Sequence, residues 1–112
     1  MTKTIILMLT NPISADRAPD FEKWYKNVCA PALAKVPGYH EMKFFRAPEN
    51  QMWDKTRPHE QWPEKPPYRY LALHQVSDME AFKSAFREGH AAFPRTDAGD
   101  WKNGLCLTFE EL

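Results

Sequence analysis

This chain of 112 residues has few glycines and cysteines, and its formal net charge is zero. Four glycines form no Gly-rich phosphate loop, which argues against nucleotide cofactors. Two cysteines, Cys29 and Cys106, are too few for a disulfide framework and lack metal-ligand spacing. We expect two reduced thiols, each filling space as a small buried hydrophobe, in a cytoplasmic protein.

No excess of basic residues, long apolar run or paired histidines is present either. Lys plus Arg equals Asp plus Glu, at 15 each, so a nucleic-acid or anionic-membrane partner is not expected. The N-terminal MTKTIILMLT is far shorter than the ~20 apolar residues of a membrane span, and it predicts a strand rather than a signal peptide. The four histidines show no H-x-H or H-x-x-x-H pair, so neither a metal site nor a cofactor is predicted.

The most informative stretch is 21–46, FEKWYKNVCAPALAKVPGYHEMKFFR. Its first part has the i, i+3, i+4, i+7 spacing of a helix with one buried face. The apolar positions are Phe21, Trp24, Tyr25, Val28, Cys29, Ala32 and Leu33. Pro31 should kink this helix, because it removes a backbone donor and clashes with the preceding turn. A turn at Pro37-Gly38 then leads into an aromatic-rich strand.

The whole chain has the element order β-α-β, loop, β-α-β. Strands are predicted at 3–10, 39–46, 68–76 and 105–110, with helices at about 19–35 and 79–89. The second helix should begin with a capping box, Ser77 at N-cap and Glu80 at N3. This order predicts an α+β, ferredoxin-like fold: a four-stranded antiparallel sheet with both helices on one face. We expect Met8, Met42, Phe44 and Tyr70 on the other face, covered by a second copy in a homodimer.

The stretch also resembles the EthD-like family of dimeric α+β barrel proteins. The matching residues are Trp24-Tyr25, Pro31, Val36-Pro37-Gly38 and Arg46. The resemblance implies one dimeric barrel domain over residues 1–112, with a long Pro- and Trp-rich loop at 47–67. Cys29 stands where the family pattern usually has histidine, so an acid–base role for that histidine does not carry over.

A candidate site follows from strand alternation. His40, Met42, Phe44 and Arg46 share one face of the second strand, and Tyr70 and His74 share one face of the third. We expect His40 or His74 to act as a base, with Arg46 steadying an anion and lowering the imidazole pKa. Substrate-binding candidates are Met42, Phe44, Tyr70, Trp53 and Trp62, the two tryptophans lying in a loop that could cover the open sheet face or the dimer seam. Both histidines are equally consistent with strand-end residues bonded to backbone or water.

The sequence is compatible with three functions. The resemblance implies a small cofactor-free enzyme, such as a cyclase, isomerase or oxygenase, acting on an apolar aromatic or polyketide-like compound. It also fits a non-catalytic accessory or binding module of a degradation pathway. Haem binding, which occurs in related barrels, would need an axial histidine, for which His74 is the candidate.

Overall fold

The computed structural model describes residues 3–49, 51 and 65–112. Four strands form one antiparallel sheet in the order β2-β3-β1-β4. They are β1 (Thr4–Thr10), β2 (Tyr39–Arg46), β3 (Tyr70–Val76) and β4 (Leu105–Glu110). Helix α1 (residues 18–33) follows β1, and helix α2 (Met79–Arg87) follows β3. This is the predicted ferredoxin-like topology, and β3 begins two residues later than expected.

Helix α1 changes its winding along its length. Ala18–Trp24 is α-helical, Tyr25–Cys29 is π-helical and Ala30–Leu33 returns to α. Pro31 accounts for the wider turn, because its ring would clash with the carbonyl one turn earlier in a regular α-helix. The predicted kink is therefore a π turn rather than a break.

The π turn keeps one row of side chains on the sheet. Phe21, Tyr25, Cys29 and Leu33 recur every four residues and are all buried. In an ideal α-helix each four-residue step overshoots a full turn by about 40°, because 3.6 residues make a turn. The wider π turn takes up part of this overshoot, so all four residues remain on the buried side.

The side of the sheet facing the helices differs from our expectation. Met42 pairs with His74 and Phe44 with Ala72, and both β3 residues are buried beneath the helices. Met8 and Tyr70 also lie on this covered side. The prediction that Met8, Met42, Phe44 and Tyr70 form the open face is therefore wrong. Alternation groups residues along a strand but does not say which group the helices cover.

The open face is nevertheless apolar, through the opposite set of side chains. It carries Ile5, Leu7, Leu9, Phe45, Leu71, Leu73, Leu105, Leu107 and Phe109. Four of these, Phe45, Leu105, Leu107 and Phe109, are exposed. Glu41, Lys43 and Gln75 lie toward one end of the same face. An apolar surface of this extent is characteristic of a protein–protein interface.

The turns at one end of the sheet are tied together through Gly38. Its carbonyl accepts hydrogen bonds from the backbone N–H groups of Ser77 and Asp78, 2.8 and 3.1 Å away. Gly38 has φ +83°, and a Cβ there would lie 2.1 Å from the Asp78 carbonyl oxygen. Asp78, rather than the predicted Ser77, is the N-cap of α2, because its carboxylate accepts from the backbone N–H of Ala81.

The predicted loop at 47–67 lies largely outside the described residues, and with it Trp53 and Trp62. Within the part of the chain that is described, no helix has the length and apolarity needed to cross a membrane.

Candidate functional site

A largely apolar cavity of about 570 Å³ lies between helix α1, the covered side of the sheet and segment 93–101. It is lined by Met8, Trp24, Tyr25, Cys29, His74, Phe93, Pro94, Arg95, Thr96, Trp101 and Cys106. Its volume lies within the range of small-molecule sites, about 300–1,000 Å³. This cavity lies on the covered side of the sheet, whereas the candidate residues of β2 and β3 were expected on the open face.

His74 is the buried histidine that lines this cavity. Its side chain on β3 leaves the residue 5% exposed, and burial lowers its pKa to about 4. The Tyr39 hydroxyl lies 2.8 Å from His74 Nδ1, and the two groups share one hydrogen bond. Burial raises the pKa of Tyr39, so both partners are neutral at pH 7. The bond fixes the imidazole ring and leaves its other nitrogen outside the pair.

Three aromatic rings form one wall of the cavity. Trp24 lies edge-on to Tyr25, with ring centroids 4.8 Å apart, and edge-on to Trp101 at 5.4 Å. The Trp101 indole N–H donates to the Thr96 carbonyl oxygen, 2.9 Å away, which fixes the ring against segment 93–101. Such a wall offers flat apolar surface to a ligand, together with the edges and faces of aromatic rings.

Two thiols line the cavity in different surroundings. Cys29 is buried on the π turn, and burial raises its pKa to about 11. It is therefore protonated at neutral pH, in keeping with the predicted small buried hydrophobe. Cys106 was expected to be buried too, and that expectation is wrong: it is exposed. β4 is an outer strand of the sheet and all of its residues are exposed.

The structure brings only part of the predicted site together. His74 lines the cavity, whereas His40 is exposed and does not. The register of β2 and β3 passes from the Tyr39–Val76 pair directly to the Glu41–Gln75 pair, so His40 is the extra residue of a β-bulge. Met42 and Phe44 pack against the core rather than lining the cavity. No group of three or more potential metal-ligating side chains occurs in the described ranges.

Arg46 lies apart from His74, contrary to the expected pairing. Its guanidinium is 3.3 Å from the Glu22 carboxylate, which also accepts a 2.5 Å hydrogen bond from the Tyr70 hydroxyl. The Tyr70 bond holds the pKa of Glu22 below its ordinary value, and burial raises the pKa of Tyr70 to about 12. The low pKa of His74 therefore comes from burial alone and not from a neighbouring arginine.

Sequence reasoning missed several residues that build the site. Trp24 and Tyr25 were assigned to the core from their helical spacing, and Tyr25 is indeed buried there. Both also line the cavity. Trp101 lies in a short 3₁₀ turn with no periodic pattern to place it. Tyr39 reaches His74 from the first position of β2, and the only signal for this contact is an aromatic residue at a strand start.

Comparison with solved structures identifies the fold class. An EthD family protein from Bacillus halodurans C-125 aligns over 100% of both chains with 19% identity and a TM-score of 0.59. The haem degrader MhuD from Mycobacterium tuberculosis, solved with two haems in its active site, aligns over 97% of this chain and 95% of its own, with 18% identity and a TM-score of 0.59. HapK from Hahella chejuensis aligns over 92% and 89%, with 15% identity and a TM-score of 0.56.

The chain therefore has a ferredoxin-like fold, which it shares with an EthD family protein. This confirms, at the level of the fold, the resemblance seen around Trp24 and Pro37-Gly38. No protein-family model and no curated protein sequence matches the chain.

Proposed function

We propose that this protein binds an apolar aromatic or polyketide-like small molecule in the cavity beside His74, and acts on it as a cofactor-free enzyme. The supporting observation is the neutral His74–Tyr39 pair, held in an apolar cavity of about 570 Å³. Most of the cavity wall offers only dispersion and hydrophobic contact. In the tautomer whose Nδ1–H donates to the Tyr39 oxygen, Nε2 is a proton acceptor beside this wall, which is the usual composition of a small-molecule site.

His74 would act by taking a proton from an acidic carbon or phenol of the ligand. Its low pKa makes it a weak base in the free protein. The anion formed on the ligand would raise the imidazole pKa again, because opposite charges in contact stabilise one another in a site of low dielectric constant. Tyr39 would hold the ring in place during the transfer as a positioning residue.

The test compares His74→Asn with His40→Asn, using a hydroxyanthraquinone dye whose absorbance reports ionisation of its phenol. The Asn amide can keep the bond to Tyr39 while the second ring nitrogen is lost. Wild type and the exposed-histidine control should bind the dye and shift its spectrum toward the ionised form. His74→Asn should bind at least about tenfold more weakly, which is about 1.4 kcal/mol, and lose that shift. An unchanged spectrum and affinity in His74→Asn would overturn the role of His74.

Haem is a second candidate, favoured by one observation. MhuD shares this fold and was solved with two haems bound in its active site. The residues here fit an axial ligand: His74 is neutral, and when its Nδ1–H donates to the Tyr39 oxygen, Nε2 would hold the iron. Bound haem would supply an iron able to bind O₂. Titration with hemin should then give a Soret band that His74→Ala abolishes and His40→Ala retains; no band in wild type would reject haem.

We also propose that the open sheet face forms a homodimer interface. Its apolar side chains match the composition expected where a second copy of the same sheet packs. The cavity lies on the opposite side of the sheet, so the dimer would leave it accessible.

An accessory role without catalysis would show as dye binding without ionisation or turnover in every variant.

A further inference from the structure

A second chamber adjoins the cavity beside His74. A groove of about 730 Å³ runs between helix α2 and the covered side of β1 and β4. Met8, His74, Phe93 and Cys106 line both this groove and the cavity. The two spaces therefore share part of their walls, including His74. We name the cavity the ring chamber and the groove the tail chamber.

Phe93 stands where the two chambers meet. It is 54% exposed, an unusual state for a large apolar ring, yet other aromatic rings hold it in place. It stacks on Phe86 with centroids 4.6 Å apart and planes 11° apart, and it lies edge-on to Phe82 at 6.4 Å. A ring held at this boundary can contact both parts of a ligand that extends through it.

The walls of the two chambers differ in shape and flexibility. The ring chamber is bounded by the flat faces and edges of Trp24, Tyr25 and Trp101. Ile6, Met79 and Phe86 line the tail chamber only, and Met8 lines both chambers. Unbranched methionine side chains adapt to flexible hydrocarbon better than to a rigid ring system.

The charges around the tail chamber do not select one sign. Glu80, Lys83, Arg87 and Glu110 contribute two negative and two positive groups. Arg87 lies 3.8 Å from Glu80, so part of this charge is internally balanced. A single anionic or cationic end group would therefore gain little net attraction, and apolar contact is the main source of affinity in this chamber.

We propose that the ligand has two parts: a planar ring system in the ring chamber and a flexible alkyl or acyl tail in the tail chamber, joined beside His74. This proposal rests on the proposed function, since it takes the cavity beside His74 as the binding site. It narrows the substrate class to ring compounds that carry a hydrocarbon chain.

The test uses hydroxynaphthoquinone without a chain and its butyl and octyl derivatives, with dissociation constants measured by titration calorimetry. Each buried methylene should tighten binding by about twofold to fourfold, because a fully buried CH₂ contributes ≈ 0.8 kcal/mol. The gain should end once the tail chamber is filled. A dissociation constant independent of chain length in wild type would overturn the proposal.

A blocking variant distinguishes binding of the tail in the tail chamber from nonspecific hydrophobic binding of the hydrocarbon chain. Thr108 on β4 lines the tail chamber only, and its strand position accepts aromatic residues. Thr108→Trp should bring the ratio of the unsubstituted to the butyl dissociation constant close to one. Lys23→Trp, which adds the same ring at an exposed position of α1, should keep the wild-type ratio. Thr108→Phe replaces the blocking variant if circular dichroism shows that the tryptophan disturbs the fold.

The outcomes distinguish the two proposals. If unsubstituted hydroxynaphthoquinone does not bind to wild type, the proposed function fails. If it binds, and His74→Asn weakens it, but the chain adds no affinity, only the two-part ligand fails. Retention of the full chain-length gain in both blocking variants would also overturn the two-part ligand, because the tail would then lie elsewhere.

Discussion

Burial of His74 predicts an acid-sensitive fold. The imidazole has a pKa of about 4 in the native state against 6.5 for an unperturbed histidine. The unfolded chain therefore binds a proton that the native chain does not between these two pH values, and stability falls as the pH is lowered through this window. The full displacement corresponds to about 3 kcal/mol, because one pKa unit is worth about 1.4 kcal/mol. That is a large part of the 5–15 kcal/mol typical of a domain.

The assay is urea unfolding of wild type and His74→Asn at a fixed protein concentration from pH 7 to pH 4.5. Wild type should lose about 2–3 kcal/mol of unfolding free energy over this interval, and His74→Asn should lose much less. Glu22, Asp16 and Asp97 have lowered pKa values, so their contributions to stability are lost mainly as the pH falls below this interval, and equally in both proteins. His40→Asn removes an exposed imidazole and should follow wild type. Equal slopes in wild type and His74→Asn would refute burial as the source of the effect.

Three further predictions concern the turn, the imidazole partner and the open face. Gly38→Ala and Gly89→Ala should each lower the free energy of unfolding by about 1–2 kcal/mol, because both glycines have positive φ. Gly38→Ala should lose about 1–3 kcal/mol more, because its Cβ would clash with the Asp78 carbonyl oxygen. Equal thermal unfolding midpoints for the two variants would contradict this. Tyr39→Phe should cost about 1–3 kcal/mol in urea unfolding, since it leaves a buried ring nitrogen of His74 without its hydroxyl, and no loss would argue against the bond. Leu107→Lys should yield monomers in sedimentation at micromolar concentration, and a persistent dimer would place the interface elsewhere.

The local elements were determined by the sequence because their signals are short-range. Apolar spacing gave helix α1, and Pro31 marked the place where its winding changes. Pro37-Gly38 gave the turn, and Gly38 has the positive φ that favours glycine. Strands β2 and β4 begin and end at the predicted residues. The order of these elements was sufficient to predict the ferredoxin-like topology.

The tertiary structure determined which residues form the site, through the strand register and through the face of the sheet that the helices cover. Alternation along a strand cannot say which of its two faces the helices cover, so Met42, Phe44 and Tyr70 were expected on the open side. One extra residue in β2 sends His40 to solvent and lets Tyr39 reach His74, although both histidines looked alike in the sequence. Arg46 meets Glu22 across 24 positions in the chain, a contact that depends on how α1 lies on the sheet. Long-range packing therefore determines that His74, and not His40, is the buried and neutral imidazole.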